Sequence, residues 1–126
     1  MDLNNWAQGY TYWNMLLNEN GGPRHAGGEF RGENVVTFNT KTGKLIYSPT
    51  YYMFGQFSRF IKPGAKRLAC TSSSDNFIAT AFKNIDGKIA VVVLNLTDAE
   101  RDFQIMIDGK FARCSSPAKA LITMVF

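Results

Sequence analysis

Two Asp-Gly pairs constrain this chain more than any other feature. Asp86-Gly87 separates the alternating run Phe77 to Lys83 from the nearly continuous β-branched run Lys88 to Leu96, and Asp108-Gly109 follows a second alternating run, Arg101 to Ile107. Asp-Gly between apolar-patterned runs is a hairpin signal, because both residues tolerate the positive φ that a tight two-residue turn demands. Leu121 to Phe126 then closes the chain, so nearly everything after Pro63-Gly64 consists of short strands with regular turns. That pattern predicts an antiparallel β-sandwich over residues 64–126.

Residues 1–63 are patterned differently. Residues 2–8 have the look of a helix end, stopped at Gly9. Tyr10 to Leu17 is bulky and apolar on both faces, as a strand of a parallel barrel is. A large aromatic at the end of such a strand, followed by a polar Gly-rich loop, is how a β/α barrel presents a sugar-binding surface. The loop here runs from Asn18 to Glu33, a length that is more often functional than idle. Val35 to Asn39 and Leu45 to Tyr47 flank Thr40-Lys41-Thr42-Gly43-Lys44, a short hairpin. Ser48-Pro49 starts a helix, since serine caps free N–H groups and proline at the first helical position forfeits no hydrogen bond. Met53, Phe57, Phe60 and Ile61 recur at helical spacing with Gln56 and Arg59 pointing away, and Pro63-Gly64 ends the helix at a domain boundary.

Composition removes several function classes. A hydrophobic fraction of 45% supplies a core, and no apolar run approaches the ~20 residues of a membrane-spanning helix. Met1-Asp2-Leu3-Asn4-Asn5-Trp6 lacks the basic lead and apolar stretch of a signal peptide. The net charge is +4 with scattered basic residues; Lys62, Lys66 and Arg67 form the densest group, which a solvated helix end explains. Without a basic groove interleaved with aromatics, no nucleic-acid partner is expected. Cys70 and Cys114 are too few and too far apart for a zinc site, so no metal or cofactor is expected, and two free, buried thiols are favoured over a disulfide. Gly21-Gly22 and Gly27-Gly28 have no phosphate-cradle context. Asn95-Leu96-Thr97 meets the N-glycosylation pattern, although a polar turn at a strand end accounts for it more plainly.

Among candidate site residues, Trp13 stands first, because an indole face stacks on a pyranose ring while its N–H donates to a hydroxyl. Glu19 is the nearest acid, but it has no paired carboxylate close in sequence; Glu29 and Glu33 lie across the glycines, so a loop-ordering role suits it better than catalysis. His25 is the lone histidine and lacks an evident nucleophile to serve.

Three blocks in order resemble glycoside hydrolase family 30, which includes glucosylceramidases and β-1,6-glucanases. Tyr12-Trp13-Asn14-Met15-Leu16-Leu17-Asn18-Glu19-Asn20-Gly21-Gly22-Pro23 is similar to that family's final barrel strand and loop. Residues 47–67, from Tyr47-Ser48-Pro49 to Pro63-Gly64-Ala65-Lys66-Arg67, resemble its last barrel helix and the exit to a second domain. Ile89-Ala90-Val91-Val92-Val93-Leu94-Asn95 resembles the central strand of its C-terminal sandwich. The resemblance implies a mainly β chain, an antiparallel β-sandwich (64–126) preceded by the last β/α unit of a TIM barrel (1–63). A full barrel takes roughly 250 residues, so the 126 residues here are expected to be the C-terminal portion of such an enzyme.

By that resemblance the whole enzyme is a retaining hydrolase of β-glucosides, with glucosylceramide-like or β-1,6-glucan substrates. Its two catalytic glutamates belong to earlier strands, so the chain alone is expected to be inactive. Trp13 lines the floor of the glycone pocket. Arg24 and His25 follow Gly-Gly-Pro where relatives of the glucosylceramidase type have Asn-Trp, and they complete the expected substrate contacts. Met15 and Pro63-Gly64-Ala65-Lys66-Arg67 look closer to the β-1,6-glucanase branch. Expected partners are the β-linked glucoside or glucan and the remainder of the barrel, with self-association where strand edges are open. The resemblance is compatible with a secreted or periplasmic enzyme. The competing reading is a stand-alone, non-catalytic carbohydrate-binding or interaction module that uses Trp6, Trp13 and tyrosines.

Overall fold

The computed structural model describes residues 2–23 and 34–126. Two compact units divide inside a helix, Met1–Gly55 and Gln56–Phe126. The chain is mainly β, and the second unit holds most of the strand.

In the first unit a 3-10 helix, Asp2–Asn5, replaces the longer helix end expected to Gly9. The chain turns early because Trp6 takes the positive φ, 69°, expected of a helix-ending glycine. Strand β1 (Leu16–Asn18) runs parallel to β2 (Val36–Asn39), and β2 pairs antiparallel with β3 (Lys44–Tyr47). The expected Tyr10–Leu17 strand is thus corrected to three residues, starting at Leu16 and ending one position later, at Asn18. Its cause is pairing: among the described residues β1 has a single neighbour, and just ahead of it the ladder to β2 is reduced to the bonds from Val35 N to Asn14 O and Val36 N to Met15 O. The hairpin between β2 and β3 matches its expectation, with Gly43 at a φ of 68° and the Asn39 side chain accepting from the Lys41 and Thr42 amides. Helix α1 spans Pro49–Ser58. The Ser48 hydroxyl does not cap its amides; it donates to Val35 O at 3.0 Å and ties the helix entry to β2. On α1 it is Phe54, which the periodicity reading passed over, that meets the rings of Tyr10 and Tyr12 at 5.7 and 5.4 Å. Met53 stays half exposed.

The second unit is a sandwich. One layer is a four-stranded antiparallel sheet in the order β4 (Lys66–Leu68), β5 (Phe77–Lys83), β6 (Ile89–Asn95), β9 (Leu121–Val125). The other is the hairpin β7 (Arg101–Ile107) and β8 (Lys110–Ser116). Its turn, Asp108-Gly109, has both residues at positive φ, 49° and 77°, the backbone whose twist suits a two-residue hairpin. Odd positions of β5 and β6 face this hairpin: Ala81, Val91 and Val93 form the core against Phe103, Ile105 and Ile107. Phe77 and Phe103 stack across the layers at 4.9 Å. Cys70 packs beside this core; both thiols are free and half-buried rather than fully buried, and partial burial pushes each upward in pKa.

The other face of the sheet is buried as well. Thr80, Ala90 and Val92 have no exposed surface. Thr123 on β9, paired with Val92, donates its hydroxyl to Gln56 O at 2.6 Å. Gln56 therefore turns its backbone to the sheet and is half-buried, where the helical pattern had it pointing away. Asn84 grips the turn after α1, donating to Phe60 O at 2.8 Å and accepting from Lys62 N at 2.9 Å. Gly64 is held at a φ of 83°, where an L side chain is strained, and a Cβ there would also push aside the exposed Ile85 side chain.

Asn95 closes the end of β6. Its amide donates to Ala99 O (2.9 Å), Ser116 O (3.1 Å) and Pro117 O (2.9 Å), while its Oδ1 accepts from the Thr97 amide (2.9 Å) and hydroxyl (2.8 Å). The Thr80 hydroxyl is the opposite case, fully buried with no partner among the described residues. A buried polar group without a partner costs about 1–3 kcal/mol. We expect Thr80→Val to raise stability by about 1 kcal/mol and Asn95→Ala to lower it by about 2 kcal/mol or more. Urea midpoints at unchanged m-value check both; a Thr80→Val variant weaker than the parent would show that the hydroxyl is satisfied.

Candidate functional site

The site of interest brackets β1: Trp13 precedes the strand, rather than lying at its carboxyl end as expected, and the polar turn follows it. Trp13 sits just before the strand and is 68% exposed, with its indole toward solvent rather than in a core. The next peptide, Trp13–Asn14, is cis, as is Gly22–Pro23. Tyr12, half-buried, is edge-on to Phe54 and gives the backbone beside Trp13 a fixed neighbour. From the other side, Asn14 O is held by Val35 N at 3.2 Å. The tryptophan is therefore an exposed ring on an anchored backbone, the arrangement that stacking on a sugar face needs.

After β1 the chain makes a tight turn organised by Asn18. Its Oδ1 accepts from the amides of Asn20 (3.0 Å) and Gly22 (2.8 Å), and its own amide donates to Gly22 O at 2.7 Å. A side chain that satisfies successive backbone donors is the usual way to order a polar loop without a core. Glu19 then fastens the turn to the neighbouring hairpin: Thr40 donates its amide to Oε2 at 2.9 Å and its hydroxyl to Oε1 at 2.7 Å. On the far side, Asn34 Nδ2 donates to Val36 O and to Thr37 Oγ1 at 2.7 and 2.6 Å. Between turn and sheet lies an open, almost wholly apolar concavity of about 160 Å³, lined by Leu16, Leu17, Asn18, Gly22, Pro23 and Phe38.

These contacts decide the chemistry open to Glu19. The Thr40 amide first, then the Thr40 hydroxyl, hold its carboxyl below the ordinary carboxylate value, with Lys41 adding a smaller pull. A general acid needs a raised pKa and a free proton, and this carboxylate has neither. Sequence reasoning had no signal for its partner, because Thr40 lies 21 residues away. Arg24 and His25 fall outside the described residues, as do Glu29 and Glu33. Among the described residues no cluster of three or more His, Cys, Asp or Glu could hold a metal, and no helix is long and apolar enough to cross a membrane.

The family model for the glycosyl hydrolase family 30 TIM-barrel domain matches residues 1–61, and that for the family's beta sandwich domain matches residues 64–124. Two models of one family, in the order of their domains, leave only Lys62, Pro63, Val125 and Phe126 unmatched, and the chain belongs to glycoside hydrolase family 30. It is similar to the lysosomal acid glucosylceramidase of Mus musculus, 33% identical over 120 residues, covering 94% of this chain and 23% of that protein. It is also similar to the endo-1,6-beta-D-glucanase of Neurospora crassa, 31% identical over 111 residues, covering 86% of this chain and 22% of that protein. Among solved structures, an endo-beta1,6-glucanase superposes with a TM-score of 0.86 at 27% identity, covering 96% of this chain and 27% of that one. The chain spans about a fifth of the length of the curated relatives it matches.

The depressed pKa of Glu19 has a pH consequence. A carboxyl whose folded pKa lies below its unfolded value contributes stability above the unfolded value and loses it as pH falls through the folded one. Protection of the Thr40 amide from hydrogen exchange is expected to fall as the pH drops through the lowered folded pKa of Glu19, below the ordinary glutamate range, and Glu19→Gln should remove that dependence. A pH-independent Thr40 amide in the parent chain would contradict it.

Proposed function

We propose that this chain supplies the last barrel strand, the loop at the pocket rim, the last helix and most of the sandwich of a retaining glycoside hydrolase acting on β-glucosides. The division falls at Pro63-Gly64, with residues 1–63 belonging to the barrel and 64–126 to the sandwich. The reading rests on one observation above the rest: an exposed Trp13, on the backbone just ahead of β1, in a chain that two models of one family match in order.

In this reading Trp13 forms the floor of the sugar pocket, stacking on the apolar face of the glycone. Arg24 and His25 follow the Asn18–Pro23 turn and donate hydrogen bonds to sugar hydroxyls. The acid and the nucleophile are glutamates on other strands of the barrel, held about 5 Å apart across the scissile bond as retention requires. Glu19 takes no part in bond cleavage; it keeps the turn against the β2–β3 hairpin. The substrates are glucosylceramide-like lipids or β-1,6-glucans, the two classes named for the relatives. Met15 after Trp13-Asn14, with Pro63-Gly64-Ala65-Lys66-Arg67, favours the glucan.

In the enzyme that carries this chain, Trp13→Ala should raise KM for a β-glucoside by about tenfold or more, the loss of roughly 1.4 kcal/mol of stacking. Steady-state kinetics on a β-1,6-glucan and on glucosylceramide, side by side, check the variant and separate the two substrates. An unchanged KM on both would remove Trp13 from the pocket.

The 126-residue chain by itself should release no chromophore from an aryl β-glucoside, since it holds no opposed pair of carboxylates among the described residues. Release that Glu19→Gln abolishes would refute this. A second reading, a non-catalytic sugar-binding module, draws on the exposure of Trp6 and Trp13, 80% and 68%. Calorimetric titration of the chain with β-glucan decides it, because sub-millimolar binding without the rest of the barrel favours the module.

A further inference from the structure

Asn95-Leu96-Thr97 is the chain's single Asn-x-Ser/Thr sequence, and every group that N-glycosylation would use is committed inside the sandwich. Asn95 has no exposed surface. Its amide nitrogen carries two hydrogens, shared among the carbonyls of Ala99, Ser116 and Pro117. The Thr97 hydroxyl, the other group that defines the pattern, donates toward Asn95 Oδ1 and Ala99 O. The backbone of all three residues is held too. Asn95 N donates to Ala120 O, Leu96 N to Asn76 O, and Thr97 O accepts from Lys119 N, at 2.8–3.0 Å. Lys119 Nζ donates to Leu96 O at 2.7 Å and pairs with Asp98 at 3.2 Å.

We infer that the native sandwich and an N-linked glycan compete for one atom, Asn95 Nδ2, so that Asn95 is a modification site of the unfolded chain only. Glycan transfer from a polyprenyl-diphosphate oligosaccharide forms a bond from Nδ2 to the anomeric carbon and breaks that carbon's bond to the diphosphate oxygen. The polyprenyl diphosphate leaves with the electron pair, and Nδ2 loses one proton. The product nitrogen has one hydrogen left for three buried carbonyls and carries a pyranose ring into a site with no free surface. Two of those carbonyls, Ser116 O and Pro117 O, lie at the end of β8, so the modified chain cannot bring β8 back to β6. Folding first silences the site; glycosylation first blocks closure. A glycan at Asn95 therefore marks chains that have not closed the sandwich and keeps them open.

The test uses a soluble oligosaccharyltransferase, a synthetic polyprenyl-diphosphate oligosaccharide and three versions of the full chain. These are the parent, Val92→Asp (a charge placed at a fully buried core position to keep the chain unfolded), and Val92→Asp with Thr97→Ala. Mass spectrometry follows the addition of one glycan. Val92→Asp should be modified at Asn95 and the double variant should not. The parent should react about 1,000-fold more slowly or less, in keeping with the unfolded fraction of a stable domain. Modification of the parent at the rate of Val92→Asp, with amide protection of Ala90 to Leu94 retained, would overturn the proposal. So would failure of Val92→Asp to react, since the fold would then not be what silences the site.

Discussion

The second unit depends on β6 having no solvent face. Ala90 and Val92 point one way and Val91 and Val93 the other, and all four are buried. Each face then needs its own cover. The β7–β8 hairpin packs on the odd positions, and on the even side Thr123 reaches Gln56 O, the start of the segment that carries the chain out of α1. Burying a valine side chain stabilises by about 1.5–3 kcal/mol relative to leaving it in water, so the three valines, with Ala90 beside them, outweigh any single turn or ion pair. By comparison the Lys119–Asp98 pair, with both side chains largely exposed, contributes little.

A strand covered on both sides leaves few places for its polar ends, and asparagine side chains meet that demand. Asn95 satisfies carbonyls where β6 leaves the sheet, and Asn84 does the same where the β5–β6 turn meets the segment after α1. Both amides stand in for absent backbone partners. Asn18 repeats the device in the first unit, where it closes the turn after β1. There the turn is ordered by hydrogen bonds within Asn18–Gly22 and by one longer-range carboxylate clasp, from Glu19 to Thr40. On the proposed reading that difference suits a loop at the pocket rim, which must present side chains to a ligand while staying in place.

The first unit shows how a barrel strand behaves with one neighbour. Among the described residues β1 is paired on a single edge, and Met15, Leu16 and Trp13 remain exposed. On the proposed reading other barrel strands cover the aliphatic residues, while the sugar covers the tryptophan. An apolar side chain and a ligand-binding one look alike in such a chain, since both wait for something outside it.

The hairpins were legible in the sequence because their glycines, Gly43, Gly87 and Gly109, encode positive φ locally, although only Asp108-Gly109 makes the two-residue turn and Asp86-Gly87 sits in the longer connection 84–88. Strands β5 and β7 were legible because alternation is a local property. Ser48-Pro49 marked the start of α1 for the same reason. Trp13 could be singled out by residue type and by its place in a family-like run. What the tertiary structure alone decided depends on groups far apart in the chain. Strand β1 shrank to Leu16–Asn18 because ladder bonds, not side-chain bulk, define a strand. Ser48 gave its hydroxyl to Val35 O instead of a helix amide, Glu19 found Thr40, and Asn95 changed from a surface sequon into a buried latch. Local propensity fixes φ and ψ one residue at a time, whereas a hydrogen-bond partner 13 or 21 residues away is chosen only when the chain packs.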